Sequence, residues 1–487
     1  MRESKLGALA AAKARRHDPA RPDAVASVHS GGKLTARERL GFLLDDDSTV
    51  EYGSIAAFDP DGMDDGWIAE AGGVDFVGRI DGQTVIASST DYTDRGGGYG
   101  AARLERLMGL ADEHRWPIVF FVDGGGSRAR HPRVGLGHIE TSGPIGRFQL
   151  FDGMAELSGW VPTVAIVSGP SFAGHASLAG FSDCVISTPG SSIGMGGPPM
   201  VEAALGITLT PNELAGSEMH EQSGGIDLLV ADEHEAIAQA QRYLSYLIDR
   251  PEGAPSSTSG DIATLVPDQG AYDVLPVIEA LVDEASFMEL RPAFGRSVVT
   301  GFARVGGRSV GVLASQPQVD LGMIDESAAV KINRFVELCD SYDFPIVSLI
   351  DSAGTVTTWP SGDPEDADGA TVTEPGVNRW HTRAISAHQH RTVPVVAVQM
   401  RRADGLSHHI MAGSPNARAI PLQHLAWPTV EIGHVDGYSS VRNVNAFDDV
   451  IDPRETREAM VRLIGHLPDR SVTRAAQAKK KHPVDTW

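Results

Sequence analysis

The feature that most constrains this chain is that its second half repeats its first. Gly78-Arg79-Ile80-Asp81-Gly82-Gln83-Thr84-Val85 reads as two strands joined by a tight turn. Ala303-Arg304-Val305-Gly306-Gly307-Arg308-Ser309-Val310 reads the same way. A helix is expected after each, over residues 101–115 and 328–342, where apolar residues recur at helical spacing. Each helix then runs into a similar apolar strand, Trp116-Pro117-Ile118-Val119-Phe120-Phe121-Val122-Asp123-Gly124 in the first half and Phe344-Pro345-Ile346-Val347-Ser348-Leu349-Ile350-Asp351-Ser352 in the second. A further matched pair is Val161-Pro162-Thr163-Val164-Ala165-Ile166-Val167 and Val393-Pro394-Val395-Val396-Ala397-Val398. The separation between partners drifts only from 225 to 232 residues over these elements, a register that chance similarity does not hold. Continuous β-branched runs suit strands buried on both faces under helices. The expected fold is therefore α/β, with two tandem domains related by internal duplication, over residues 1–250 and 262–487. The stretch 251–261 is almost free of apolar residues and reads as a mobile connector. Duplicated domains favour a ligand site at a shared interface.

A formal charge of −23 argues against a nucleic-acid partner, since no net basic field would neutralise phosphates. The two cysteines, Cys184 and Cys339, have no metal-ligand spacing and fit a reduced, cytoplasmic setting. In the basic stretch from Leu6 to Arg16 the charges follow the apolar residues, the wrong order for a secretory signal, and no apolar run is long enough to cross a membrane. Lys479-Lys480-Lys481-His482 reads as a frayed, solvated tail.

Small residues follow the buried strands in both halves: Gly124-Gly125-Gly126-Ser127 and Gly169-Pro170-Ser171-Phe172-Ala173-Gly174, then Ala353-Gly354 and Gly405-Leu406-Ser407. Such residues let a strand turn sharply into a helix and leave backbone N–H groups at the strand's carboxyl end. Two N–H groups so placed form an oxyanion hole, able to stabilise the enolate of a thioester.

Lys33-Leu34-Thr35-Ala36-Arg37-Glu38-Arg39-Leu40 resembles the opening signature of the β-type carboxyltransferase subunits of biotin-dependent acyl-CoA carboxylases. The resemblance continues through Gly194-Met195-Gly196-Gly197-Pro198-Pro199-Met200-Val201-Glu202, Gly224-Gly225-Ile226-Asp227, Ala426-Trp427-Pro428-Thr429 and residues 449–457, and so spans roughly residues 30–465. It implies two crotonase-like domains, with acyl-CoA on the N-terminal half and biotin, carried by another polypeptide, on the C-terminal half. It also implies a partner biotin carboxylase or biotin carrier subunit and a homo-oligomer, a hexamer or dimer. In the implied reaction, carboxybiotin releases CO₂, the ureido nitrogen takes the α-proton of the thioester, and the enolate attacks CO₂ while backbone amides hold the negative charge. Ala173, Gly174, His175, Leu406, Ser407, His408 and His409 are then the expected catalytic residues. Gly125, Gly126, Ser127, Arg128, Gly196, Gly197, Gly354 and Gly405 are the expected contacts to CoA and biotin.

The chain departs from that family at the same loops. His175 and Leu406 stand where the family keeps small or differently shaped residues, and the stretch 430–448 replaces a long helical excursion. His175, His408 and His409 map to the two loops, and imidazole is the side chain most suited to acid–base work near pH 7. A biotin-independent decarboxylase, hydrolase or lyase on this scaffold is the competing expectation, and a non-catalytic scaffold subunit a third. His131 and His138 lie in a long loop whose Arg128, Arg130 and Arg133 are candidates for CoA phosphates. No zinc-binding spacing is present, so no metal site is expected.

Overall fold

The computed structural model describes residues 2–58, 67–69, 72–94, 97, 101–124, 150–250, 261–355, 377–414, 422–431, 447–478 and 481–486. The chain divides into two compact units, Met1–Ser245 and Tyr246–Asp485. The connector expected over 251–261 lies outside the described residues except for Asp261.

Each unit is built on a seven-stranded sheet whose strands lie side by side in chain order. In the first these are β1 (Val50–Tyr52), β2 (Gly73–Ile80), β3 (Gln83–Thr90), β4 (Ile118–Phe121), β5 (Thr163–Val167), β6 (Cys184–Ser187) and β7 (Leu228–Leu229). In the second they are β8 (Met288–Leu290), β9 (Val298–Val305), β10 (Arg308–Ser315), β11 (Ile346–Ser352), β12 (Val395–Ala403), β13 (Gln423–Ala426) and β14 (Asp449–Val450). In both sheets the first three strands run antiparallel and the rest run parallel to the third. Register follows the repeat as well, with Ile86 beside Ile118 in one sheet and Gly311 beside Ile346 in the other.

The duplicated hairpins match down to single hydrogen bonds. Asp81 and Gly82 both have positive φ, as do Gly306 and Gly307, which is the two-residue turn that suits the twist of its strands. One carboxylate closes each turn. Asp45 accepts from the N–H groups of Asp81 and Gly82 at 3.1 and 2.9 Å, and Asp283 from those of Gly306 and Gly307 at 2.9 and 2.7 Å.

Crossover helices bury apolar stripes on the sheets. In α2 (Ala101–His114) the stripe is Leu104, Leu107, Met108 and Ala111, all fully buried against β3 and β4 side chains such as Ile86 and Phe120. Each such leucine contributes roughly 1.5–3 kcal/mol through burial. Its counterpart α6 (Glu326–Ser341) is buried almost all round. Ahead of α2, α1 (Ala36–Leu43) opens on a capping box. Thr35 Oγ1 accepts from the Glu38 N–H at 3.1 Å, and Glu38 accepts from the Thr35 N–H at 2.8 Å.

The tail expected to fray is instead docked along α6. Lys481 Nζ donates to Asp343 at 2.7 Å, His482 meets Asp340 at 2.9 Å, and Asp485 accepts from Asn333 Nδ2 at 2.9 Å. Val484 is buried beside them. Basic composition alone suggests a solvated segment, but Asp340 of α6 and Asp343 just past its end are buried carboxylates that receive Lys481 and His482; Lys479 and Lys480 lie outside the described residues. Among the described residues no helix is long and apolar enough to cross a membrane, and no cluster of His, Cys, Asp or Glu is arranged to hold a metal ion.

Candidate functional site

In the first unit the site is assembled where β4 ends. Past Asp123, Gly124 donates its N–H to Pro170 O at 2.7 Å and accepts from Phe172 N–H at 3.0 Å, which lays the short strand Pro170–Phe172 against it. Ala173 then reverses the chain with φ 54° and ψ −117°, and its N–H donates to Gly194 O at 3.0 Å. That backbone region is sparsely populated for a residue with a Cβ and costs about 1–3 kcal/mol. Directly after it starts α4 (Gly174–Phe181), whose first-turn N–H groups have no carbonyl partner within the helix. The strained turn thus delivers Gly174 at the head of a helix dipole, a setting that favours negative charge.

Two close backbone approaches fix this corner. Gly97 has φ 75°, and a Cβ there would overlap the Asp123 carbonyl. Gly124 has the His175 imidazole packed where a Cβ would stand. The ring is buried, and its Nε2 lies 2.9 Å from Gly97 O, so that nitrogen donates and the ring ties Gly97 to α4. Burial lowers the His175 pKa, partly offset by the bond to Gly97 and the nearby Asp123 carboxylate. His175 is therefore neutral at pH 7 and acts as a brace. Gly124→Ala is expected to lower stability by about 1–3 kcal/mol through overpacking. The double variant Gly124→Ala/His175→Ala should recover part of that loss in a urea titration.

Beneath the corner lies a buried charge network that the sequence reading did not single out. Arg39 of α1 donates to Asp123 at 2.6 Å and Ser168 at 2.9 Å and also pairs with Glu233, the first residue of α5 (Glu233–Ser245). Lys33 Nζ lies 3.6 Å from Asp123. Burial alone would raise the Asp123 pKa, but Arg39 and Lys33 hold it at about 2. Gly196 and Gly197 follow the strand Ser192–Gly194, and a Cβ at Gly196 would meet open space. Gly125, Gly126, Ser127, Arg128, Arg130, His131, Arg133 and His138 lie outside the described residues.

The second unit repeats the corner with different side chains. Gly322, with φ 70°, sits on the carbonyl of Asp351 as Gly97 sits on that of Asp123. Asp351 is fully buried and paired to Arg401 at 2.7 Å, whose remaining donors reach Pro267 O and Gly270 O, each at 2.9 Å. At the end of β11 the Ser352 hydroxyl accepts from Gly354 N–H at 3.2 Å and meets the Ser407 hydroxyl at 3.0 Å, and Ser407 Oγ donates to Asp404 O at 2.8 Å. Gly405 has φ 59° with open space where a Cβ would be, and Leu406 is exposed at the start of α8 (Ser407–Ala412). By position in the two corners, Leu406 answers Ala173, Ser407 answers Gly174, and His408 answers His175.

His408 belongs to a cluster of imidazoles under α8. Its Nε2 lies 3.4 Å from His424 Nδ1, and His388 at the end of α7 (Val377–His390) is fully buried with Arg391 Nε 3.3 Å from its Nδ1. Burial, then the neighbouring His424 and His409, push His408 down to about 4, and burial, then Arg391, push His388 to about 3. The near-neutral acid–base role expected of His408 is at odds with this environment, because burial penalises the charged ring; His409 stays exposed. Below pH 6.5 the unfolded chain binds protons that these folded rings refuse. Stability is accordingly full above that pH and falls as pH drops from 6.5 toward 4 for His408, by about 3 kcal/mol, and toward 3 for His388. Urea midpoints measured across this range should show the fall, and His408→Gln should remove the share of His408 while that of His388 persists.

Residues 27–444 match the carboxyl transferase domain family. Over 445 residues the chain is 33% identical to an uncharacterised carboxylase, YngE, of Bacillus subtilis, covering 88% of this chain and 82% of that one. It is 31% identical to the methylmalonyl-CoA carboxyltransferase 12S subunit of Propionibacterium freudenreichii subsp. shermanii, covering 94% of this chain and 92% of that one. Among solved structures, a single-chain, multi-domain long-chain acyl-CoA carboxylase superposes with a TM-score of 0.80 at 32% identity, covering 94% of this chain; this chain spans 50% of that enzyme. The transcarboxylase 12S hexamer bound to methylmalonyl-CoA and methylmalonic acid superposes with a TM-score of 0.78 at 28% identity, covering 95% of each chain.

Proposed function

Because this chain belongs to the carboxyl transferase domain family, we propose that it is the component of an acyl-CoA carboxylase that transfers a carboxyl group to the α-carbon of an acyl-CoA. The observation that carries this reading is the duplicated corner: in each unit a buried parallel strand ends against a glycine-seated loop and a helix start. On the acyl side, the thioester carbonyl docks at the first turn of α4, where Gly174 N–H meets the oxygen that gains charge as the α-proton leaves. A preorganised donor of this kind contributes about a hundred- to a thousandfold to the rate. Ala173 holds that donor in place, and His175, neutral and committed to Gly97, keeps Gly97 seated on the Asp123 carbonyl.

On the donor side, the second corner leaves room for a ligand beside the start of α8. Gly405 opens onto free space, and the nearest atom to a Cβ on Gly354 is 3.8 Å away. Biotin carried on a partner polypeptide supplies the carboxyl group when bound there. Ser407 and Ser352 hold the turn, while Leu406 offers an exposed apolar surface beside it. The protein works as a homo-oligomer in the cytoplasm, alongside a biotin carboxylase and biotin carrier.

The test is reconstitution with biotin carboxylase and biotinylated carrier, ATP, bicarbonate and a panel of acyl-CoAs. Incorporation of labelled bicarbonate into the thioester, dependent on the biotinylated carrier, is the expected result. Turnover of the thioesters without any biotinylated protein would overturn it.

A further inference from the structure

Two large apolar side chains stand exposed beside the first turn of α4. Phe151, in the first turn of α3 (Leu150–Leu157), is 45% exposed, and its ring comes within 3.7 Å of where a Cβ on Gly174 would be. Met195 is 70% exposed, with its sulfur 3.9 Å from the Ser177 hydroxyl, and it follows Gly194, whose carbonyl receives the Ala173 N–H. Scattered exposed apolar residues are ordinary. This pair is set apart by converging on one turn of one helix, the turn that presents the donor for a thioester oxygen.

We propose that Phe151 and Met195 are the specificity residues for the acyl group: they form an apolar wall against which the aliphatic chain of the acyl-CoA lies, so that longer chains bind more tightly. The inference rests on the reading that α4 receives the thioester. A carbonyl oxygen at Gly174 N–H brings the acyl chain to the first turn of α4, where the Phe151 ring stands 3.7 Å from the place a Cβ on Gly174 would take. Phe151 offers a rigid ring face, whereas Met195, unbranched and polarizable, adapts to chains of different length. Full burial of one methylene corresponds to about a fourfold gain in affinity. An acetyl group has too little chain to use the wall, so the substrate class is an acyl-CoA with an extended aliphatic tail.

Calorimetry with free CoA and a series of S-alkyl-CoA thioethers, which bind without reacting, reads the wall separately from carboxylation. For the full chain, affinity should climb with each methylene by up to about fourfold. In Phe151→Ala/Met195→Ala the climb should flatten while free CoA binds as before. Leu205→Ala, which removes another exposed apolar side chain of the same unit, should leave the climb intact. Both wall residues are exposed, so these truncations do not threaten folding. A wild-type protein with no dependence on chain length, or with no thioether binding, overturns the proposal, as does a double variant with an undiminished climb. If the climb appears but no acyl-CoA is carboxylated, the wall stands and the carboxyltransferase reading fails.

Discussion

Replacing Gly174 with proline is expected to slow carboxylation by about a hundred- to a thousandfold while leaving acyl-CoA affinity within a few-fold. Gly174 is the first residue of α4, the helical position that tolerates proline best because its N–H has no partner within the helix. The substitution deletes one backbone donor. Gly174→Ala keeps that donor, and its Cβ would stand at ordinary contact distance from Phe151, so it should keep most activity. The two variants bracket the claim. Ala173 precedes the new proline in a backbone region that proline disfavours, so a circular dichroism melt must accompany the kinetics. Equal losses in folded Gly174→Pro and Gly174→Ala would place the oxyanion donor elsewhere.

Arg39→Met should cost the first unit about 3–5 kcal/mol, because it leaves Asp123 and Glu233 buried without their shared cation. The pH dependence should change sign along with it. In the wild type, Asp123 titrates at about 2, below its unfolded value, so it contributes stability above roughly pH 4 that is lost as pH falls toward 2. Without Arg39, the two carboxylates face each other in a buried site and their pKa values rise above the unfolded ones. Relative to the wild type, the variant should then gain stability as the pH is lowered from neutral toward 4, a range over which Asp123 contributes no pH dependence in the wild type. Urea titrations at pH 7 and pH 5 give both readings. A loss below about 1 kcal/mol at pH 7 would mean the network relaxes by admitting water.

Much of this architecture is written in local sequence. The paired hairpins, helices and buried strands were legible because apolar periodicity and turn glycines recur at a nearly fixed separation. The two turns into α4 and α8 were legible as well, from small residues after buried strands. What stayed hidden depends on residues that meet only after folding. Nothing local to Gly97 or Gly322 says that each rests on a distant aspartate carbonyl. Thr35-Ala36-Arg37-Glu38 did carry a readable capping signal, but the partnership of Arg39 with Glu233 spans 194 residues. The histidines show the same limit. The residue type of His408 suggests titration near neutrality, and only its burial beside His424 and His409 reveals a ring held neutral. The docking of the tail is hidden in the same way, since its basic residues meet Asp340 and Asp343 only in the folded chain.

The twin glycines bear on how a duplicated protein keeps its shape while its copies drift. Between the two corners the salt bridges have been rewired: Asp123 takes its arginine from a helix near the start of the chain, and Asp351 takes its own from a neighbouring strand. The contact that both copies retain is of bare backbone on carbonyl, where no side chain exists to be exchanged. A pin of that sort allows only one kind of failure, the arrival of a Cβ, and it leaves the surrounding side chains free to be recruited. One copy could become a receptor for thioesters and the other for a different ligand without either losing its frame. In genealogical terms, the ancestor's geometry persists here in atoms that are missing.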